Sequence, residues 1–180
     1  SEDFREYKHT LKHFINSQKA IHLIQNSING NPELNGWDAG FDIVEYSGTS
    51  GTQAVSHNLG AEPEMIMMHL KSGTNVDGTM FMNSSIAESM GSTEGVFMSL
   101  SNAKQTTSYM SSVSSSSFTM PSTSMNQTGR TYVAYVFRGI QGFSKFGQYE
   151  GNGDADGPFI FLGFRPRHFF IKKIDGTGNW

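Results

Sequence analysis

The chain contains no cysteine. That single absence excludes disulfide staples, thiolate metal sites and a cysteine nucleophile. Charge is also scarce: Asp, Glu, Lys and Arg make up 16% of the 180 residues, and the formal net charge is −3. A chain so weakly charged, and slightly acidic, has no basic excess with which to hold a phosphate backbone or an anionic membrane surface. No apolar run is long enough to cross a bilayer as a helix. The expected partners therefore include neither nucleic acid nor an inserted membrane. What the chain does have is 20 glycines and 14 phenylalanines, set among many serines and threonines. Low charge with abundant Gly, Ser, Thr and aromatic residues favours β-sheet over a helical bundle.

Residues 1–28 (SEDFREYKHTLKHFINSQKAIHLIQNSI) are the exception, and predict a helix. Phe4, Tyr7, Leu11, Phe14, Ile21 and Ile28 recur at steps of three and four, with Gln18 and Gln25 at the two remaining seam positions. Ser1, Glu2 and Asp3 suit the start of a helix, where free N–H groups favour oxygen acceptors and negative charge. Asn29-Gly30 suits its end. Two arrangements fit this pattern. One is an amphipathic helix lying on a neighbouring domain, which Ile15 and Ile24 favour by widening the apolar face. The other is a short coiled coil, with a trimer as the preferred homo-oligomer.

After the turn-rich connector NGNPELN the pattern changes to short strand-like runs. Strands are expected at Phe41–Tyr46, in EMIMMHL after Pro63, in TMFMN from Thr79, in VFMSL from Val96, and most clearly in TYVAYVF from Thr131 to Phe137. Phe159–Leu162 and HFFIKKI from His168 to Ile174 complete the set. The Ser/Thr-rich stretch from Ser101 to Thr128 reads as loops and edge strands, because Tyr109, Met110, Val113, Phe118 and Met120 anchor it. The expected fold is mainly β: an N-terminal amphipathic helix followed by a sandwich-like all-β region with two related units. In chain order these are a helix and connector at 1–35, a first β unit at 36–142 with the Ser/Thr/Met-rich middle, and the start of a second unit at 143–180.

The two units show themselves as an internal repeat. With Tyr46 placed over Tyr149, an offset of 103, Gly48 falls on Gly151, Leu59 on Leu162, Gly60 on Gly163 and Pro63 on Pro166 without a gap. Gly73-Thr74 then falls on Gly176-Thr177. The shared frame is Tyr-x-Gly, a loop, Leu-Gly-x-x-Pro, a strand, and Gly-Thr. Positive φ is expected at Gly48, Gly151, Gly60 and Gly163. Each proline is expected at the first residue of a strand, where its missing N–H costs no ladder bond. Leu59 and Leu162 are expected to plug the core beneath the turn. These residues are scaffold punctuation and say nothing of catalysis. The first copy runs on into TMFMN, whereas the second stops at Trp180 and the chain opens on Ser1 without a methionine. Both features raise the expectation of a piece of a longer polypeptide.

The segment GRTYVAYVFRGIQGFSKFGQYEGNGDADGPFIFLGFRPRHFFIKKIDGTGNW (Gly129–Trp180) resembles a domain found in predicted tail-fibre and other structural proteins of marine and cyanobacterial phages. GFDIVEYSGTSGTQAVSHNLGAEPEMIMM (Gly40–Met68) resembles the first copy in the same family, its His-x-Leu-Gly-x-x-Pro turn carried by His57, Leu59, Gly60 and Pro63. The resemblance covers about residues 36–180 and is strongest in the last third. Met65, Met67 and Met68 depart from it, standing where Ile, Val and then Lys would be expected. It implies a location in the virion and a repeated β architecture, and it brings no catalytic residue with it.

Chemical motifs are sparse. Asn152, Asp154, Asp156 and Gly157 match the opening of a calcium loop, but its twelfth position is Gly163 rather than Glu. A Gly/Asp turn is the preferred reading, with Ca²⁺ as the only cofactor to weigh. His9 and His13 lie one helical turn apart without a metalloprotease glutamate between them. There is no Gly-x-Ser-x-Gly elbow, and His57 has no acidic orienting partner visible in the sequence. Glu62 and Glu64, on either side of Pro63, read as surface charges. Trp37, Tyr149 and Trp180, with loop Asn and Asp residues, form a candidate glycan-stacking set. The expected function is non-enzymatic: a structural component of a tailed-phage virion, in a tail fibre or appendage, contacting other virion proteins and a host-surface glycan. A capsid decoration protein is the alternative, and a polysaccharide-degrading tail enzyme the more distant one.

Overall fold

The computed structural model describes residues 40–72, 79–82, 94–98, 100–106 and 110–178. The expected helix at 1–28, with its seam residues Phe4, Tyr7, Leu11, Phe14, Ile21 and Ile28, lies outside these residues, as do Trp37 and Trp180. Among the described residues the chain is mainly β, with nine strands and no helix.

Strand β9 (Thr131–Phe137) organises the first unit. It alternates Tyr, Val, Ala, Tyr and Val, a composition that suits a pleated surface covered on both sides. It runs antiparallel between β1 (Phe41–Ser47) and β3 (Met65–Ser72), pairing Tyr46 with Tyr132 on one flank and Ile66 with Val136 on the other. The sheet continues from β3 through β4 (Thr79–Met82) and β5 (Glu94–Phe97) to β6 (Gln105–Thr106), giving the order β1-β9-β3-β4-β5-β6. A smaller sheet contains β2 (Gln53–Ser56), β8 (Ser117–Met120) and β7 (Ser112–Val113), in the order β2-β8-β7. Among the described residues both sheets are open.

The continuous apolar run Met65–Met68 follows from this position. Because β3 is internal to the sheet and both of its faces are covered, strict polar alternation would bury unpaired polar groups. Ile66 and Met68 join Tyr132, Ala134 and Val136 in one core cluster, which also holds Val55, Phe118 and Met120 from the small sheet. Met65 and Met67 point the other way, into a second cluster with Phe41, Val96 and Phe137, against which Phe146 and Ile174 pack. The Ser/Thr-rich middle is thus ordered where its apolar anchors fall: Met110, Phe118, Met120 and Met125 are all buried. Its serines line the exposed turn around Ser114–Ser117.

Two expectations need correction. Phe159–Leu162 and His168–Ile174 form no strand; among the described residues no strand follows Phe137. Strand formation depends on a ladder of partners as well as on composition; the C-terminal segment makes only single bonds to residues 101–104, the Lys104 N–H donating to the Ile174 carbonyl at 3.0 Å and the Gly178 N–H to the Ser101 carbonyl at 2.8 Å. Likewise, neither Gly48 nor Gly151 takes a positive φ. Gly48 is required for a different reason. A Cβ there would lie 2.3 Å from the Gln127 carbonyl oxygen, where the backbone of the 48–51 loop closes on the 126–130 loop and the Gly48 N–H donates to the Arg130 carbonyl at 3.0 Å. A Cβ at Gly151 would meet nothing within 4 Å. Gly48→Ala should therefore cost about 2–3 kcal/mol in urea unfolding. Gly151→Ala should stay within about 0.5 kcal/mol of the parent. Equal effects at the two positions would show that the close approach at Gly48 is unimportant.

Candidate functional site

The polar residues buried among residues 40–137, Asn126 and His57, hold loops. Asn126 is fully buried. Its Oδ1 accepts from the Thr49 N–H at 2.9 Å, and its Nδ2 donates to the carbonyls of Gly51 at 2.6 Å and Pro121 at 3.1 Å. Its own backbone carbonyl accepts from the Ser50 N–H at 2.7 Å. One amide thus joins the loop after β1 to the loop after β8. Tyr46 and Tyr132 stack with ring centroids 5.2 Å apart. Their hydroxyls donate to the carbonyls of Met125 at 2.8 Å and Ser124 at 2.9 Å. Burial first, and the neighbouring Tyr132 second, push the Tyr46 phenol well above the ordinary tyrosine range, so it remains a neutral donor.

His57 is buried against Phe118, with ring centroids 6.4 Å apart. Its Nδ1 accepts from the Leu59 N–H at 3.2 Å. That leaves the proton on Nε2, which donates to the Ser114 carbonyl at 3.2 Å. The ring pins the Leu-Gly-x-x-Pro turn to the small sheet. Burial lowers the His57 pKa below its ordinary value, against the smaller raising effects of the Ser114 hydrogen bond and the Asp42 charge. The unfolded chain therefore binds the proton more readily than the folded one. Stability is fully present above the unfolded value near 6.5 and declines as pH falls from there toward the depressed folded value. Thermal unfolding should show this loss as the pH falls below the unfolded value of 6.5, and His57→Gln should flatten it. An unchanged slope in the variant would assign the pH dependence to other groups.

The repeat residues occupy two contrasting settings. Gly60 and Gly163 both adopt left-handed φ, +67° and +80°, and the bends at 60–61 and 64 recur at 163–164 and 167. In the first unit Leu59 and Pro63 are buried, with the proline two residues ahead of β3 rather than at its first position. In the second, Leu162 is half-buried and Pro166 exposed. The same turn is plugged in one unit and open in the other.

Exposed apolar side chains stand in the chain on both sides of the open turn. Phe159 is 91% exposed, Phe161 71% and Phe169 75%, with Ile160 and Ile171 also exposed. Pro166 and residues 159–164 line a shallow, wide-mouthed hollow of about 500 Å³. Lys145 lies across it, donating to the Phe161 carbonyl at 2.6 Å with its ammonium 6.0 Å from the centre of the Phe161 ring.

The other sequence-predicted site residues are dispersed. Tyr149 is exposed, and both tryptophans of its proposed glycan set lie outside the described residues. Asn152 Oδ1 accepts from the Asp154 N–H and Asp154 Oδ1 from the Asp156 N–H, each at 3.1 Å. These are consecutive side-chain-capped turns on the surface. No group of three or more His, Asp or Glu residues suited to a metal occurs among the described residues. Asn126, the most connected polar side chain, carried no signal in the sequence beyond its apolar neighbour Met125.

Comparison with known families gives one match. The family described as Domain of unknown function (DUF7483) covers residues 24–180. Neither the curated proteins nor the solved structures gave a significant match.

Proposed function

We propose, for a chain that belongs to the DUF7483 family, a structural role in a tailed-phage virion, most specifically in a tail fibre or appendage. The observation that carries this reading is the exposed apolar face from Phe159 to Ile171. A cluster of largely exposed aromatics in one segment suits a surface that is covered in an assembly. The resemblance of Gly129–Trp180 to phage structural domains supplies the kind of assembly. The buried polar groups support it too, since Asn126, Tyr46, Tyr132 and His57 each brace a loop against a sheet.

In this reading the two core-linked sheets form a sandwich, and residues 143–180 begin a second, related unit. The heptad residues between Phe4 and Ile28 would give a three-stranded seam that multiplies weak surface contacts, including those of Tyr149 with a host glycan. The test is immunogold labelling of purified virions with antibodies against the isolated chain. Label on the tail is the expected result. Label on the capsid lattice would move the protein to the decoration class, and particles without label would end the virion reading.

A further inference from the structure

We infer that residues 172–178 form a detachable strap, latched by Lys172, which gates solvent access to the apolar face of the large sheet that carries Met65 and Met67. The two faces of β3 are closed by different means. Ile66 and Met68 meet the small sheet, in one cluster with Val55, Phe118 and Met120. Met65 and Met67 belong to the other cluster, with Phe41, Val96 and Phe137, which includes no residue of the small sheet. Ile174, from the strap, and Phe146 pack on that cluster instead. Adjacent methionines, Met67 and Met68, thus lie under two different covers: a strap and a sheet.

The strap is fastened to residues 101–104. The Gly178 N–H donates to the Ser101 carbonyl at 2.8 Å, and the Lys104 N–H donates to the Ile174 carbonyl at 3.0 Å. The Lys172 ammonium donates to the Ser101 carbonyl at 3.0 Å and to the Gly178 carbonyl at 2.5 Å. One cation therefore closes the strap on itself and ties it to the neighbouring segment. That segment is fixed in turn, since the Lys104 ammonium pairs with the Glu94 carboxylate of β5 at 2.9 Å and β6 follows directly. Lys173 lies along the glycines of the strap: a Cβ on Gly176 would stand 2.9 Å from its Cε, and one on Gly178 3.3 Å from its Cβ. Single bonds and one isoleucine side chain hold the strap, whereas β9 is laddered to β1 and β3 along its whole length. An element held by so few contacts opens at a lower free energy than the sheet beneath it unfolds.

Amide hydrogen exchange and methionine oxidation by dilute hydrogen peroxide, both on the full chain, read the strap and the two faces separately. In the parent, the Lys104 and Gly178 amides should exchange more slowly than exposed loops and faster than the amides of β9. Lys172→Ala should speed both by about fivefold, the loss of a hydrogen bond to a charged group. Oxidation of Met65 and Met67 should rise by about the same factor, while Met68 and Met120, in the other cluster, oxidise at the parental rate. Ile174→Ser should act in the same direction, because it removes the side chain that covers the face. Lys145→Ala, which removes an ammonium held by the Phe161 carbonyl outside the strap, should change neither readout. Unprotected Lys104 and Gly178 amides in the parent would overturn the proposal. So would equal acceleration across β9, unchanged oxidation of Met65 and Met67 in either strap variant, or oxidation of Met68 in step with Met67.

Discussion

Asn126→Ala should lower the unfolding free energy by about 3–4 kcal/mol, among the largest single-residue losses available in the first unit. The substitution leaves the Thr49 N–H and the Gly51 and Pro121 carbonyls without their partner, at a site where Asn126 itself has no exposed surface. A buried polar group left unpaired costs about 1–3 kcal/mol, and water entering from the loop side recovers part of the sum. Asn126→Asp should be at least as damaging. It keeps the acceptor for Thr49 but turns a carboxylate toward two carbonyl oxygens. Urea midpoints for both variants are the measurement, and a loss below about 1 kcal/mol would mean that the 48–51 and 121–127 loops are held by other contacts.

Phe118→Ala should cost about 3–5 kcal/mol, the range for removing a large buried aromatic. Phe118 has no exposed surface and stands between the sheets, edge-on to Tyr46 at 6.3 Å and stacked on His57. Its loss would open a cavity against the large sheet and release the His57 brace as well. Phe159→Ser and Phe161→Ser make an instructive contrast. Both rings are largely exposed, so their removal should change stability by no more than about 0.5 kcal/mol. Their effect should appear instead as weaker self-association or weaker incorporation into particles, seen by sedimentation or by particle composition. Comparable destabilisation at all three positions would mean that Phe159 and Phe161 are packed in solution.

Much of the first unit was legible before any coordinates. TYVAYVF is β9 to the residue, because a β-branched and aromatic run of that length has few other uses. The Met-rich run after Pro63 is β3, the apolar character on both faces announcing an internal strand. The Leu-Gly-x-x-Pro turns were legible from glycine and proline chemistry, and the left-handed φ values at Gly60 and Gly163 follow from it. What escaped were features that depend on distant partners. β2 escaped because its four residues, QAVS, are too short a run to show a strand pattern and are held in place by β8. Asn126 looked like any asparagine, since its partners lie five residues away at Pro121 and more than seventy away at Thr49 and Gly51. HFFIKKI has the composition of a strand, but it meets residues 101–104 through single bonds rather than a ladder.

The proposed role predicts that the exposed apolar side chains between Phe159 and Ile171, unlike the braced sheets of residues 40–137, become covered in an assembly. Hydrogen exchange compared between the free chain and assembled particles tests it directly. In the free chain, amides of Met65–Ser72 should exchange only through global unfolding, while Phe169 and Ile171 exchange at nearly unprotected rates. In particles both segments should be protected. Equal protection of 168–175 and β3 in the free chain, or continued rapid exchange of 168–175 in the particle, would contradict the account.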